Sequence, residues 1–286
     1  MKRAGLLFTI LGAVLLAGVW RVPGNLGGKD WNWFLGQTEA ELTSLVRFGQ
    51  LPLWSPWRHG GQVCFAQPES MFLSPVTPLA LLCGTLLAFK LLLLPVYVAG
   101  ALGMVALAGE LGLSGRARLV PALVFFCSSI APLYVLAGLP NWLCALALLP
   151  WLLWALRRAR RDLRWLALAG ALDAGLLLCG AIYWFTLFPL LLALDGACAS
   201  VLRRSVRPAL LAGIALLVGV VLAAPRIVPL FEVHGQHPRE LAATGYFMPP
   251  SLVLPAWLST DWPDLSTPNG SFLINDESAV YWPFVG

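Results

Sequence analysis

This sequence has few charged residues. Only 12% of its 286 residues are charged, against roughly 25% in ordinary soluble domains. Hydrophobic residues make up 59% of the chain, and the mean hydropathy is +0.78. A bilayer core needs about 20 apolar residues for each helix that crosses it, and the sequence has several apolar runs of that order. It therefore predicts an all-α integral membrane protein and excludes an ordinary soluble domain.

Metal-ligand and disulfide patterns are also lacking. The six cysteines show no C-x-x-C or other metal-type spacing. Five of them lie in or beside apolar runs, where cysteine behaves as a small hydrophobic residue. Glu232, His234 and His237 offer oxygen and nitrogen ligands, but their spacing matches no standard metal site. The sequence thus predicts no metal site, and it leaves a divalent metal open as a cofactor.

The basic residues are concentrated at alternate loops. The net charge is +5, and twelve of the nineteen basic residues fall into four short patches between apolar runs. Such a pattern follows the positive-inside rule. It argues against nucleic acid as a partner and predicts a multi-pass membrane protein with a cytoplasmic N-terminus. The patches are Lys2 and Arg3; Arg116 and Arg118; Arg157, Arg158, Arg160, Arg161 and Arg164; Arg203, Arg204 and Arg207.

About seven transmembrane helices are consistent with these patches. The first run has the features of a signal peptide, but the six further hydrophobic segments favour an uncleaved span. The run at 76–89 is too short to cross comfortably, so it is expected to be an interfacial or re-entrant helix. The chain is expected to be one transmembrane domain, 1–286, that forms the N-terminal part of a longer protein. The spans are predicted at 4–20, 91–109, 119–137, 142–156, 165–180, 183–202 and 209–224.

Two outer segments hold most of the groups that could perform chemistry. In the first periplasmic loop, 21–75, apolar residues from Asp30 to Gly49 recur at helical spacing, with polar residues between them. This pattern predicts a helix in the headgroup plane. Residues 51–56 are expected to be extended, because residues before proline avoid helical angles. The second large outer segment is predicted at 225–279.

The outer segments also carry a family resemblance. Residues 49–56 (GQLPLWSP), 59–61 (HGG), 67–70 (QPES) and 225–232 (PRIVPLFE) resemble segments of bacterial YfhO-like membrane proteins. That family resembles the GT-C group of glycosyltransferases. The resemblance implies an inverting enzyme with a polyprenyl-phosphate sugar donor, a glycan, lipid or protein acceptor, and an acid in the first outer loop. One departure is Ile182-Tyr183, where the family commonly has Pro-Gln.

Two acids are the candidate catalytic residues. Asp30 opens the predicted interfacial helix, so it is either an N-cap or a general base that deprotonates the acceptor hydroxyl. A carboxylate beside the anomeric carbon would also stabilise positive charge in the transition state. Glu69 is either a second catalytic acid or metal ligand, or a solvated loop acid.

Candidate ligands for the donor lie in the same segments. Arg58, Arg226 and Arg239 could bind the leaving phosphate bidentately, although contact with lipid headgroups explains them equally well. His59 could donate a hydrogen bond or a proton, or simply occupy a turn. The indoles of Trp54 and Trp57 could stack on sugar rings, or they could belong to an interfacial aromatic belt.

Asp173 supports a different class of function. It lies near the middle of the fifth predicted span, and an acid in lipid is expensive unless it is paired or functional. A transporter or lipid flippase that uses Asp173 for coupling is therefore the alternative to the glycosyltransferase. A non-catalytic membrane scaffold is the third hypothesis.

Overall fold

The structure is a computed structural model that describes residues 2–24, 30–57, 61–128 and 130–236. These residues form α-helices, one 3-10 turn at Gly115–Arg118 and a two-stranded antiparallel hairpin. The elements are α1 (Lys2–Arg21), α2 (Trp31–Phe48), β1 (Trp54–Ser55), β2 (Gln62–Val63), α3 (Val76–Cys83), α4 (Thr85–Glu110), α5 (Leu119–Cys127), α6 (Ile130–Ala137), α7 (Pro140–Ala159), α8 (Arg164–Leu178), α9 (Ile182–Arg203) and α10 (Arg207–Gln236).

Within the described residues, six helical stretches are long and apolar enough to cross a membrane, which agrees with the prediction of an all-α membrane protein. The predicted span at 165–180 corresponds to α8, whose 15 residues cover only about 22 Å at 1.5 Å per residue. That length is below the hydrocarbon thickness of about 30 Å. The six stretches are Lys2–Arg21, Thr85–Glu110, Gly115–Ala137, Pro140–Ala159, Ile182–Arg203 and Arg207–Val233.

One end of the helix bundle, here called the arginine end, is held by ion pairs. Arg157 and Arg160 both donate to the carboxylate of Asp195 on α9. Glu110, at the end of α4, lies 3.1 Å from the Arg161 guanidinium. The Asp195 side chain is only 13% exposed. Because two arginines donate to it, the Asp195 carboxylate can lie where little water reaches it.

The opposite end, here called the loop end, carries α2, the hairpin and residues 61–75. Hydrogen bonds join the start of α2 to the turn between α6 and α7. The Trp31 indole donates a 2.6 Å hydrogen bond to the Val135 carbonyl, and the Asp30 N–H donates to the Ala137 carbonyl at 3.2 Å. Gly138 has φ +77° and packs so closely on the Asp30 backbone that a side chain would collide with it. These contacts fix the position of Asp30.

A helix, α2, is present where one was predicted, but part of its polar face is buried. Gly49 ends α2 in the left-handed conformation, as the sequence suggested. Gln37, Glu41 and Ser44, which were expected on the exposed side, are buried, whereas Val46 is 69% exposed. The expectation fails because residues 61–75 fold back over the polar face, so that α2 is covered on two sides.

The predicted bounds of a separate helix at 76–89 are wrong. Gly84 has φ +83° and ψ 156°, a conformation that is open to glycine and strained for other residues. The chain therefore breaks there into α3 and α4, and residues 85–89 belong to the second membrane helix. With 26 residues, α4 is about 39 Å long.

The last described helix also differs from the prediction. Span seven was expected to end at residue 224, with an outer segment from 225, but α10 continues through Pro225 and Pro229 to Gln236. Membrane helices tolerate proline because neighbouring groups satisfy the freed carbonyls. As a result Arg226 is a residue of a helix and not of a loop.

Candidate functional site

A buried polar cluster lies under the first long loop, at the loop end. Glu41 of α2 is fully buried. Its Oε1 accepts hydrogen bonds from the Ser70 hydroxyl at 2.6 Å and from the Gln37 amide at 2.9 Å. The Gln62 amide of β2 donates in turn to Gln37 Oε1 at 2.8 Å. A chain of hydrogen bonds thus joins α2 to the hairpin and to the turn at 67–70.

Arg226 enters the same cluster from α10. Its guanidinium is completely buried, and Nη2 donates to the Gln67 carbonyl at 2.6 Å and to the Pro68 carbonyl at 3.4 Å. The Gln67 carbonyl also accepts from the Ser70 N–H at 3.0 Å, which closes the turn. Arg226 therefore binds the backbone of the loop, and its expected place on the headgroup surface is wrong.

The start of α7 and the turn between α8 and α9 complete the cluster. The Asn141 amide donates to the Gly180 carbonyl at 2.9 Å. Gly180 has φ +80° and packs on the 67–70 turn, where a side chain would lie 2.7 Å from the Glu69 carbonyl carbon. The turn is thereby held from three directions, by Glu41, by Arg226 and by the Asn141–Gly180 pair.

Several buried polar atoms of this cluster have no hydrogen-bond partner within the described part of the chain. They are Oε2 of Glu41, Oδ1 of Asn141, and Nε and Nη1 of Arg226. Buried polar atoms are nearly always paired, and leaving them unpaired costs stability. Donors and acceptors gathered in this way are able to bind a hydroxyl-bearing ligand or ordered water.

Burial also changes the acidity of Glu41. Desolvation raises the pKa of the Glu41 carboxyl above its ordinary 4.5, and the hydrogen bonds from Ser70 and Gln37 and the positive charge of Arg226 oppose this only in part. A raised pKa in the folded state means that the folded protein holds a proton that the unfolded chain releases. The stability from protonated Glu41 is complete below pH 4.5 and is lost as the pH rises through the folded-state pKa.

We therefore expect Glu41→Gln to flatten the dependence of stability on pH above 4.5. Glutamine keeps an acceptor for Ser70 but has no proton to lose. The measurement is the thermal unfolding temperature of both proteins in detergent between pH 4.5 and pH 8. Glu232→Gln, which removes an exposed acid of α10, serves as the control and should keep the wild-type slope. An unchanged slope in Glu41→Gln would contradict the assignment.

The two predicted catalytic acids lie in different surroundings. Asp30 is exposed and occupies the N-cap position of α2, as predicted, but its side chain makes no capping hydrogen bond to that helix. Glu69 is half-buried within the 67–70 turn, next to the carbonyls that bind Arg226. The structure thus brings Glu69 and Arg226 together.

Of the two predicted sugar-stacking residues, Trp57 lies at the other end of α2 and Trp54 lies in the hairpin. Trp54 and Trp57 are 55% and 53% exposed, and Trp57 stacks on Phe48 with 6.0 Å between ring centroids. At 1.5 Å per residue, Phe48 is about 27 Å along the helix from Asp30, and Glu41 is about 16 Å along it from Asp30. Asp30 and the Trp57 indole therefore do not share one small pocket. Arg58, His59 and Arg239 fall outside the described residues.

Sequence reasoning missed Glu41 and Asn141 as members of this site. The i,i+4 spacing of Gln37 and Glu41 signals a possible side-chain pair, but it does not reveal that a distant loop covers them. Among the described residues, no three His, Cys, Asp or Glu side chains come together as a metal site would require.

Comparison with family models, with curated proteins and with solved structures finds no match to this chain. The class that the fold itself defines is an all-α membrane protein with a polar cluster at one end of the bundle.

Proposed function

We propose that this protein is an inverting membrane glycosyltransferase, which moves a sugar from a polyprenyl-phosphate donor to a glycan, lipid or protein acceptor. In this proposal the chain crosses a bacterial inner membrane seven times, with the N-terminus in the cytoplasm and the loop end outside. The second of these crossings is α4, and the short α8 is the fifth. The resemblance to YfhO-like proteins and the GT-C group supports the reaction class.

The observation that carries the proposal is the setting of Asp30. Asp30 is exposed, and its backbone N–H is bonded to the Ala137 carbonyl at the rim of the helices. A general base needs this combination of access and fixed position. Asp30 would accept the proton of the acceptor hydroxyl as that oxygen attacks the anomeric carbon and the lipid phosphate leaves.

The other candidate residues take different roles. Arg58 and Arg239 would bind the leaving phosphate. Arg226 would position the first loop through the Gln67 and Pro68 carbonyls. Trp57, which stacks on Phe48 about 27 Å along α2 from Asp30, would contact a distant part of an extended glycan acceptor and not the sugar in transfer. Trp54, in the hairpin, would stack on a sugar ring of the same acceptor.

The test is sugar transfer by the purified protein in liposomes. Polyprenyl-phosphate donors carrying different radiolabelled sugars would be supplied with a cell-envelope extract as acceptor. We expect label to move from the lipid fraction to the acceptor and free polyprenyl phosphate to accumulate in equal amount. Failure with every donor, in a preparation shown to be folded by its unfolding temperature, would contradict the proposal.

A second candidate function rests on Asp173. This residue of α8 is only 1% exposed, and neither carboxylate oxygen has a hydrogen-bond partner among the described residues. It lies against Gly219 of α10, where a side chain would come 2.9 Å from the Asp173 Cγ. Buried unpaired acids in membrane helices are typical of proton-coupled transport.

Under the glycosyltransferase proposal, we expect Asp173→Leu to leave sugar transfer within about twofold of wild type. The free energy of unfolding should rise by about 1–3 kcal/mol, because leucine removes an unsatisfied buried polar group. Transfer assays and thermal unfolding in detergent measure the two effects. Loss of sugar transfer in this variant and in Asp173→Asn, with unchanged stability, would contradict this expectation and show that Asp173 is needed for function.

A further inference from the structure

A groove opens on the side of the bundle where α1 ends and α3 meets α4. Its volume is about 670 Å³. The walls are mainly apolar, and Leu87 and Leu91 are each nearly half exposed along it. Trp20, at the end of α1, closes one side, and its indole donates a hydrogen bond to the Lys90 carbonyl at 3.2 Å. Both helices that form the groove are long and apolar enough to cross a membrane.

Two polar groups lie within this apolar lining. Lys90 is only 6% exposed, and its ammonium donates to the Val22 carbonyl at 2.5 Å and to the Gly24 carbonyl at 2.9 Å. The Thr85 hydroxyl, also in the lining, donates to the Glu39 carboxylate at 2.5 Å.

The Lys90 ammonium makes no direct ion pair in the part of the chain that the structure describes, and the Glu39 carboxylate beside the groove is bonded to Thr85. Its two described acceptors are neutral carbonyls, although an ammonium has three N–H donors. A buried charge is stable when it is paired with an opposite one. An anion at the mouth of the groove would supply that pairing and accept the third hydrogen bond.

We propose that this groove binds an anionic phospholipid of the surrounding bilayer, with its phosphodiester at Lys90 and one acyl chain along Leu87 and Leu91. The bound lipid fills the space between α1 and α4 and holds residues 22–24 in place. The site is separate from the buried cluster around Glu41, and the inference does not depend on the glycosyltransferase proposal.

Size and charge favour a phospholipid over the polyprenyl-phosphate donor. At about 30 Å³ per heavy atom, the volume of a water in the liquid, the groove holds roughly 22 atoms. That matches a phosphoglycerol group with part of one acyl chain and is too small for a long prenyl tail. A phosphodiester carries one negative charge, which one ammonium can balance. A doubly charged phosphate is better suited to the bidentate fork of arginine.

The experiment measures lipid that stays bound after purification. Wild type and variants would be extracted in mild detergent from membranes containing phosphatidylglycerol and phosphatidylethanolamine, and the retained lipids counted by native mass spectrometry. Lys90→Gln removes the charge, and Lys90→Arg restores it. Leu87→Trp fills the groove and leaves Lys90 intact, so it tests the site even if Lys90→Gln disturbs the fold. Arg21→Gln removes an exposed charge from the same end of α1 and is the matched control.

We expect one phosphatidylglycerol per wild-type chain, with retention at least fivefold lower in Lys90→Gln and Leu87→Trp and unchanged in Lys90→Arg and Arg21→Gln. Added phosphatidylglycerol should raise the unfolding temperature of wild type more than added phosphatidylcholine. Equal retention in Lys90→Gln and wild type would overturn the proposal. So would displacement of phosphatidylglycerol by an equimolar amount of polyprenyl phosphate, which would identify the groove as a donor site.

Discussion

Asp30→Asn is expected to lower the rate of sugar transfer by about 10²- to 10⁴-fold, the usual contribution of a positioned general base. Asparagine has nearly the shape of aspartate but cannot accept the proton of the acceptor hydroxyl. The backbone of residue 30 is held by the Ala137 carbonyl and by its own carbonyl, which accepts from the Phe34 N–H at 3.0 Å. Because neither bond uses the side chain, both should persist in the variant.

The measurement is the single-turnover rate of transfer in liposomes, with saturating donor, so that binding and chemistry are separated. Glu39→Gln removes another exposed acid of α2 and should keep activity within a few-fold of wild type. Asp30→Glu should recover part of the activity, since it keeps the base at a displaced position. Wild-type turnover in Asp30→Asn would rule out Asp30 as the base.

Arg226→Met is expected to destabilise the protein by about 3–5 kcal/mol, as happens when one partner of a buried charge pair is removed. The substitution takes the donor away from the Gln67 and Pro68 carbonyls. It also leaves the buried Glu41 without the positive charge that offsets its desolvation. The turn at 67–70 should then detach from α10.

Thermal unfolding and limited proteolysis of the first loop would measure this effect. Arg164→Met removes an arginine whose side chain is 92% exposed at the arginine end and should change stability by less than about 0.5 kcal/mol. The double variant Glu41→Gln with Arg226→Met should recover part of the loss, because no unbalanced buried charge remains. If Arg226→Met unfolds at the same temperature as Arg164→Met, the cluster does not hold the loop.

The membrane architecture was largely predictable because it depends on local composition. A run of apolar residues must form a helix in lipid, since backbone groups have no water to bond with there. Gly49 as the end of α2 was predictable as well, because glycine reaches the left-handed conformation without strain. The burial of Gln37 and Glu41 was not predictable, because Gln62 and Ser70, which cover them, come much later in the chain.

The sequence by itself determined that this is an all-α membrane protein with basic residues gathered at alternate loops, and that a helix with a polar face opens at Asp30. The tertiary structure alone decided that part of this face is buried, and that α10 continues through two prolines. It also decided that the Arg226 guanidinium donates a hydrogen bond to the Gln67 carbonyl. Hydropathy and helical periodicity depend only on residues within one helical turn or one membrane span. The pairing of a guanidinium with carbonyls 158 and 159 residues away depends on how the helices pack.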